Sequence, residues 1–202
     1  MFCWLKRTAG FILQGLMIFF IASIFFACGN NTQTTKLYNI DSLVNEQVRL
    51  LSSGKPKLTK QAVMGSQQDA MEYVPDSAAW SQELDIFRQL DAMNKPVNRS
   101  KYLVDDNLYD PGSNLTVKAF TSLEPLPVRS MRIFYDTDMA EPRKIEAIFR
   151  EENTLFESSK NLLLEFQQIN NKNLLTSYSI EGGQKMILSD SVTFSVKGKI
   201  KF

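Results

Sequence analysis

Carboxylates are the side chains best suited to acid–base chemistry in this chain, because its 202 residues include no histidine. Without histidine, Ser–His–Asp and Cys–His nucleophiles and histidine metal sites are excluded. Acidic residues pair at Asp105 with Asp106, Asp136 with Asp138, and Glu151 with Glu152. The D-T-D spacing resembles a metal-binding DxD motif, but it lies where a hairpin turn is expected and aspartate is favoured in turns. We therefore expect no catalytic residue, no metal and no other cofactor.

Glycines and serines give no stronger catalytic signature. Gly182 and Gly183 are followed by neither a helix nor a Lys-Ser/Thr pattern, and they lie between two strand-like segments. A hairpin turn is the expected role for them. Ser189, Ser191 and Ser195 lack the G-x-S-x-G context of a nucleophile elbow. These observations also favour a non-enzymatic protein.

Charge and cysteine content exclude further classes. The 23 basic and 22 acidic residues give a net charge of +1, without the basic excess typical of a nucleic-acid-binding protein. The two cysteines, Cys3 and Cys28, lie at the edges of the N-terminal apolar segment. No disulfide or cysteine metal cluster can therefore form in the remaining chain, whose 44% overall apolar content is sufficient for one packed domain.

The N-terminal segment has the organisation of an export signal. Lys6 and Arg7 precede an apolar run at residues 11–27, and Cys28 is followed by a polar stretch at residues 30–35. A membrane-spanning helix needs about 20 apolar residues, so the length of the run does not distinguish a cleaved signal from a retained anchor. The residues around Cys28 carry that distinction.

Ala27, Cys28 and Gly29 resemble the lipobox of bacterial lipoproteins, with Phe25 where that family prefers leucine. The resemblance implies that lipid is attached to the Cys28 thiol and that the chain is cut before it. Residues 1–27 would be the signal peptide, 28–38 the lipidated cysteine and a polar tether, and 39–202 one periplasmic domain. Gly29, in place of an inner-membrane-retaining aspartate, implies the outer membrane. Surface export in some Gram-negative groups uses acidic residues after the cysteine, and their absence from residues 29–40 favours the periplasmic face. The alternative is a retained signal-anchor helix.

Two amphipathic helices are expected in the first half of the domain. "NIDSLVNEQVRLLSSGKP" has an apolar stripe, a cap at Asp41 and stop signals at Gly54 and Pro56. "PDSAAWSQELDIFRQLDAMNKP" repeats large apolar residues at helical spacing from Trp80 onward. A small hairpin is expected between these helices, and a loop from residue 97 to 114.

From Leu115 onward the pattern changes to short segments rich in β-branched and aromatic residues, separated by turn signals. The spacing predicts an α+β fold in which two N-terminal helices pack on a C-terminal antiparallel β-meander of about six strands.

The layout is similar to a group of uncharacterised envelope lipoproteins of Gram-negative bacteria. Two patterns carry the resemblance besides the lipidated cysteine: a helix ending and a C-terminal hairpin. They comprise Trp80, Glu83, Leu84, Ile86, Phe87, Leu90, Asp91 and residues 93–96, then Tyr178, Ile180, Gly182 and residues 184–187. The resemblance implies no activity and no site residue beyond Cys28.

The expected function is a membrane-anchored envelope lipoprotein that acts as a non-enzymatic protein-interaction or assembly module. The alternative is a carrier or chaperone for a lipid or other apolar ligand, enclosed by the sheet and helices. The expected partners are the membrane, through lipid on Cys28, and an envelope protein or apolar ligand. A carrier requires a continuous apolar cavity, whereas an interaction module requires an exposed apolar patch or a free sheet edge.

Overall fold

The computed structural model describes residues 36–186 and 190–202. Within these ranges the chain forms three α-helices, one 3-10 helix and nine strands. In chain order they are α1 (Ile40–Gly54), β1 (Lys57–Met64), β2 (Gln67–Tyr73), α2 (Ser77–Arg88), the 3-10 helix (Gln89–Asn94), α3 (Pro96–Arg99), β3 (Tyr102–Asp110), β4 (Leu115–Ser122), β5 (Val128–Tyr135), β6 (Lys144–Glu152), β7 (Phe156–Ile169), β8 (Lys172–Met186) and β9 (Val192–Lys201).

The nine strands form one antiparallel sheet in the order β2–β1–β9–β8–β7–β6–β5–β4–β3. From β3 to β9 each strand pairs with the next one in the chain. The β1–β2 hairpin adds to the other side of β9, because β1 pairs with β9 from Lys57 opposite Lys201 to Met64 opposite Phe194. The last strand is therefore interior to the sheet, and the sheet edges are β2 and β3.

The predicted fold class, two N-terminal helices packed on a six-stranded C-terminal meander, is wrong. The sheet has nine strands, and the β1–β2 hairpin lies between α1 and α2 in the chain. The hairpin was expected, but its place in the main sheet was not, because "KLTKQAVM" and "QQDAMEY" carry polar residues on both faces. Such strands lack the clear alternation that identifies a half-buried strand.

β3 occupies part of the segment predicted to be a loop. It is an edge strand, paired on one side to β4, and its register shifts between Asp105 and Leu108. Asn107, within this bulge, has φ 57°, a left-handed conformation that asparagine tolerates. An edge strand accommodates turn-forming residues through such a bulge, which also makes the edge a poor template for further pairing.

Helix α1 forms where the apolar period predicts it. The cap is Asn39 instead of the predicted Asp41, since Asn39 Oδ1 accepts a hydrogen bond from Ser42 N at 3.3 Å. The helix ends at Gly54, and Lys55 follows in a left-handed conformation. Its buried face contains one polar side chain, Gln47.

Gln47 connects α1 to the sheet. Its Nε2 donates to Asn173 O at 2.9 Å, and its Oε1 accepts from Leu175 N at 2.8 Å. These groups lie where the β7–β8 register shifts, after Glu165. The amide therefore satisfies buried backbone groups at an irregular position of the ladder.

Helix α2 begins after Asp76, whose side chain accepts from Ala79 N at 2.8 Å, as its start signals predict. Its buried face consists of Trp80, Leu84 and Phe87. With α1, it covers one face of the sheet, where the core lies. Sheet residues of this core include Leu58, Tyr102, Phe120, Met131, Ile133, Ile145, Leu162, Leu164, Tyr178 and Ile200.

Candidate functional site

The paired acids of the sequence do not converge on a site. Asp138 lies in the β5–β6 turn, where its Oδ1 accepts from Ala140 N at 2.8 Å, the local bonding expected of a turn aspartate. Asp106 pairs with Lys118 at 2.6 Å. Glu151 and Glu152 are exposed at the end of β6. Within residues 36–186 and 190–202, no group of three or more acidic, histidine or cysteine side chains could hold a metal ion.

Gly182 and Gly183 do not form the predicted hairpin turn. They lie inside β8 and pair with β9, Gly182 opposite Phe194. A Cβ at Gly182 would approach Phe194 Cζ to 2.8 Å and Ser159 O more closely still. Glycine is therefore needed because the Ser159 carbonyl oxygen and the Phe194 ring both lie close to its backbone. The sequence signal for a turn was misleading.

Cys28, the predicted lipidation site, lies outside the described residues, as do the signal peptide and Ser189. Leu37 and Tyr38, assigned to the tether from sequence, contact the domain: Tyr38 is 7% exposed and Leu37 N donates to Asn94 Oδ1. Across the described ranges, no helix combines the length and apolar character needed to cross a membrane.

The space between the helices and the sheet is filled by the chain's own side chains. Five large side chains at the core of this interface are 0% exposed: Trp80, Phe87, Leu90, Phe120 and Met131. The Phe87 and Tyr178 rings pack edge to face, 6.1 Å between centroids. A lipid-sized ligand would have to displace these groups, so this interior does not supply the cavity that a carrier requires.

A half-buried carboxylate, Glu83 of α2, binds the helix to three strands. Its Oε1 is 2.6 Å from Lys60 Nζ and accepts from Tyr73 at 3.3 Å, and its Oε2 accepts from Tyr178 at 2.7 Å. Burial, followed by the hydrogen bond to Glu83, raises the pKa of Tyr178 strongly. The pKa of Tyr73 is raised mainly by burial, with Glu83 adding to the shift. With both oxygens occupied by donors, this cluster is a structural clamp.

Beyond this clamp the same face of the sheet is less completely buried. The next residues along β1 and β9 on the same face are Ala62 opposite Val196 and Met64 opposite Phe194. Val196 is partly buried, whereas Met64 is 58% exposed. An open groove of about 680 Å³ lies here, which we call the tip groove; it is lined by Ala62, Val63, Met64, Gln67, Gln68, Asp69, Phe194 and Val196.

The tip groove joins an apolar floor to a free sheet edge. Asp69 is the one charged residue of its lining, and Oδ1 of this carboxylate accepts from the neighbouring Ala70 N. Its outer wall is β2, whose register with β1 is regular over seven pairs from Leu58–Tyr73 to Met64–Gln67. Unlike β3, this edge has no bulge to interrupt its unpaired backbone groups, so it is competent to pair with an added strand.

The opposite face of the sheet carries a second, polar groove of about 630 Å³. Hydroxyl, amide and charged side chains dominate it, and Lys197 pairs with Glu181 across it at 2.9 Å. Its lining is Thr59, Gln61, Leu163, Glu165, Ser177, Tyr178, Ser179, Glu181, Lys197, Gly198 and Lys199. Because its lining carries four charged side chains against one in the tip groove, it is a weaker candidate for an apolar ligand than the tip groove.

The sequence did not identify the tip groove as a site. It did predict a small hairpin between the two helices and strand-like segments after Leu115. The missing information was the β1–β9 pairing, which joins residues that are 130 to 144 positions apart in the chain. No protein-family model, curated protein or solved structure matches the chain.

Proposed function

We propose that this chain is a lipoprotein of the bacterial envelope, anchored through lipid on Cys28, that acts as a non-enzymatic protein-interaction or assembly module. The tip groove carries the interaction part of the proposal. It combines exposed apolar side chains, Met64 and the flanking Val63, with the unprotected edge of β2. This is the combination that an extended segment of a partner uses when it adds to a sheet.

The anchor part of the proposal rests on residues 1–35 of the sequence. The basic pair at Lys6 and Arg7, the apolar run and the small residues flanking Cys28 are the features that support it. Two or more acyl chains would attach the protein stably, whereas a single chain gives marginal binding. The expected location is the outer membrane facing the periplasm.

The carrier hypothesis has less support. Its ligand would need an enclosed apolar space, but Trp80 and Phe87 are 0% exposed between the helices and the sheet. The tip groove is open and bordered by Gln67, Gln68 and Asp69, which suits a peptide better than a lipid chain.

Site-directed photocrosslinking tests the interaction module. Met64 is replaced by a photoreactive phenylalanine analogue in the full-length protein, and intact envelopes are irradiated. A discrete cross-linked protein is expected at Met64, and the band should weaken when Phe194→Ser removes the groove floor. Ser113, in the exposed β3–β4 turn, is the matched control position. Absence of any band at Met64, or the same bands at Ser113, would show that the tip groove is not the binding surface.

Labelled palmitate tests the anchor separately. Cys28→Ala should abolish labelling and leave the precursor unprocessed, while Cys3→Ala should change neither. Continued labelling of the Cys28→Ala protein would refute lipidation at this residue.

A further inference from the structure

The chain joins the domain beside the 3-10 helix. Lys36 Nζ lies 3.1 Å from Asp91 Oδ1, and Leu37 N donates to Asn94 Oδ1 at 2.8 Å. Asn94 Nδ2 in turn donates to Tyr38 O at 2.7 Å. These contacts fix the point at which the described chain begins on the domain surface.

Hydrogen bonds continue from this point through α3 to the start of β3 and the end of β4. Arg99 Nη2 donates to Asn94 O at 2.7 Å, and Lys101 N donates to Asn98 O at 2.9 Å. Lys101 O then accepts from Leu123 N at 2.9 Å. Helix α3 and Leu123 therefore lie at the same end of the domain as Lys36.

This end exposes apolar side chains next to lysines. Val97 is 71% exposed, Leu123 is 67% exposed and Leu103 is 50% exposed. Lys95 and Lys101 flank Val97 in the chain, and Leu103 follows Lys101. We call these five residues the anchor-side surface. Apolar side chains interspersed with lysines are typical of surfaces that lie at a membrane interface, where the lysine ammonium groups reach the headgroups.

The length of the tether restricts which part of the domain can reach a membrane. Eight Cα–Cα steps separate Cys28 from Lys36, and such a chain spans at most about 29 Å. A compact domain of roughly 167 residues has a radius of gyration of about 15 Å, so the tether is shorter than the domain's own diameter. A domain held at Cys28 must keep the end that carries Lys36 close to the lipid.

We infer that the anchor-side surface docks on the lipid bilayer, with Val97 and Leu123 entering the headgroup region; this inference rests on the proposed membrane anchor. In the docked orientation, the end of the domain that carries α3 faces the membrane. The tether holds the surface at a high effective concentration, so a weak contact is enough to maintain it.

Charge contributes little to this docking. Lys101 pairs with Glu124 at 2.7 Å and Lys36 pairs with Asp91 at 3.1 Å, which neutralises two of the cations. Among the ion pairs of the described residues, none involves Lys95. Docking should therefore depend mainly on the apolar side chains and only weakly on anionic lipid.

The test uses the full-length protein in its own membranes. A photoreactive phenylalanine analogue is placed at Val97, at Leu123 or at Ser113, the samples are irradiated, and lipid adducts are identified by mass spectrometry. Ser113 lies at the other end of the β3–β4 hairpin, roughly 25 Å along the strands from Leu123. Phospholipid adducts are expected at Val97 and Leu123 at several times the yield at Ser113. With the analogue at Leu103, Val97→Asp combined with Leu123→Asp should reduce the adduct at least severalfold.

Palmitate labelling of the same samples separates this inference from the proposed anchor. Labelled protein without lipid adducts at Val97 and Leu123, or with equal adducts at Ser113, overturns the docking and leaves the anchor intact. Cross-links to a protein in place of lipid overturn it as well. Adducts without palmitate labelling retain the docking and refute lipidation at Cys28, whereas release of the protein into the soluble fraction overturns both.

Discussion

Replacing Gly198 with alanine tests whether the Tyr178 ring is locked across the sheet. Gly198 of β9 lies opposite Tyr178 of β8, and a Cβ at this position would come within 2.7 Å of Tyr178 Oη and closer to two ring carbons. The ring is 2% exposed, packs against Phe87 and donates a hydrogen bond to Glu83 at 2.7 Å. It therefore has no free space into which it can shift.

Two contributions set the size of the effect. Overpacking a dense interior costs about 1–3 kcal/mol, and a displaced ring also loses a hydrogen bond to a carboxylate, about 1.5–3 kcal/mol. Removing a strand glycine returns only about 0.5–1 kcal/mol. The free energy of unfolding should fall by about 2–5 kcal/mol for Gly198→Ala. In a domain of this size the melting temperature should fall by about 4–20 °C.

Urea and thermal unfolding of the full-length protein in detergent, followed by circular dichroism, measure this change. Gly183→Ala is the matched control, because a Cβ there meets Val192 O at 3.6 Å, an ordinary contact. Its stability should stay within about 1 kcal/mol of the wild type, as for a compatible glycine-to-alanine change. Equal effects of Gly198→Ala and Gly183→Ala would refute the steric argument.

Two further predictions concern the Glu83 clamp. Glu83→Gln replaces one acceptor oxygen by a donor opposite Lys60 and the two tyrosines, so the free energy of unfolding should fall by about 1–3 kcal/mol. Adding Lys60→Met should recover part of this loss. If the effects of the two substitutions on the free energy of unfolding in urea are strictly additive, the clamp is refuted. The raised pKa of Tyr178 means that, below about pH 10, folded and unfolded phenols are both protonated and contribute no pH dependence. Above that pH the unfolded phenol ionises first, so stability should fall, and Tyr178→Phe should make the decline measurably shallower in unfolding curves between pH 8 and 11. Parallel curves for the two proteins would contradict the shift.

The helices were predictable because their signals are local. The period of apolar residues, the cap region before α1 and the Asp76 start signal each act within one or two turns of chain. Even here the cap was assigned to Asp41 in place of Asn39, because both residues precede the apolar stripe and either can accept from the first turn.

The strand count failed for a different reason. β1, β2 and β3 carry amides, acids and turn-forming residues because each has an exposed face or an unpaired edge, so their burial does not impose a clear alternation. The sequence around Gly182 was misleading in the same way: its pattern is typical of a turn, but the glycine is needed to leave room for the Ser159 carbonyl oxygen and the Phe194 ring. The roles of these strands and of Gly182 depend on which distant segments pair, and a local sequence pattern does not carry that information.

The same non-local pairing accounts for the candidate site. β9 lies between β8 and the N-terminal hairpin, and its apolar face is buried at Ile200 but only partly buried at Phe194. The hairpin extends the sheet past the point where Glu83 fastens α2, because β1 continues beyond Lys60 to Met64. Where an apolar strand face extends beyond the helix that covers it, its side chains must face water or contact a partner. Apolar side chains are exposed at the tip groove, whereas the core around Trp80 is filled. This arrangement favours binding of a partner at the surface over enclosure of a ligand in the interior.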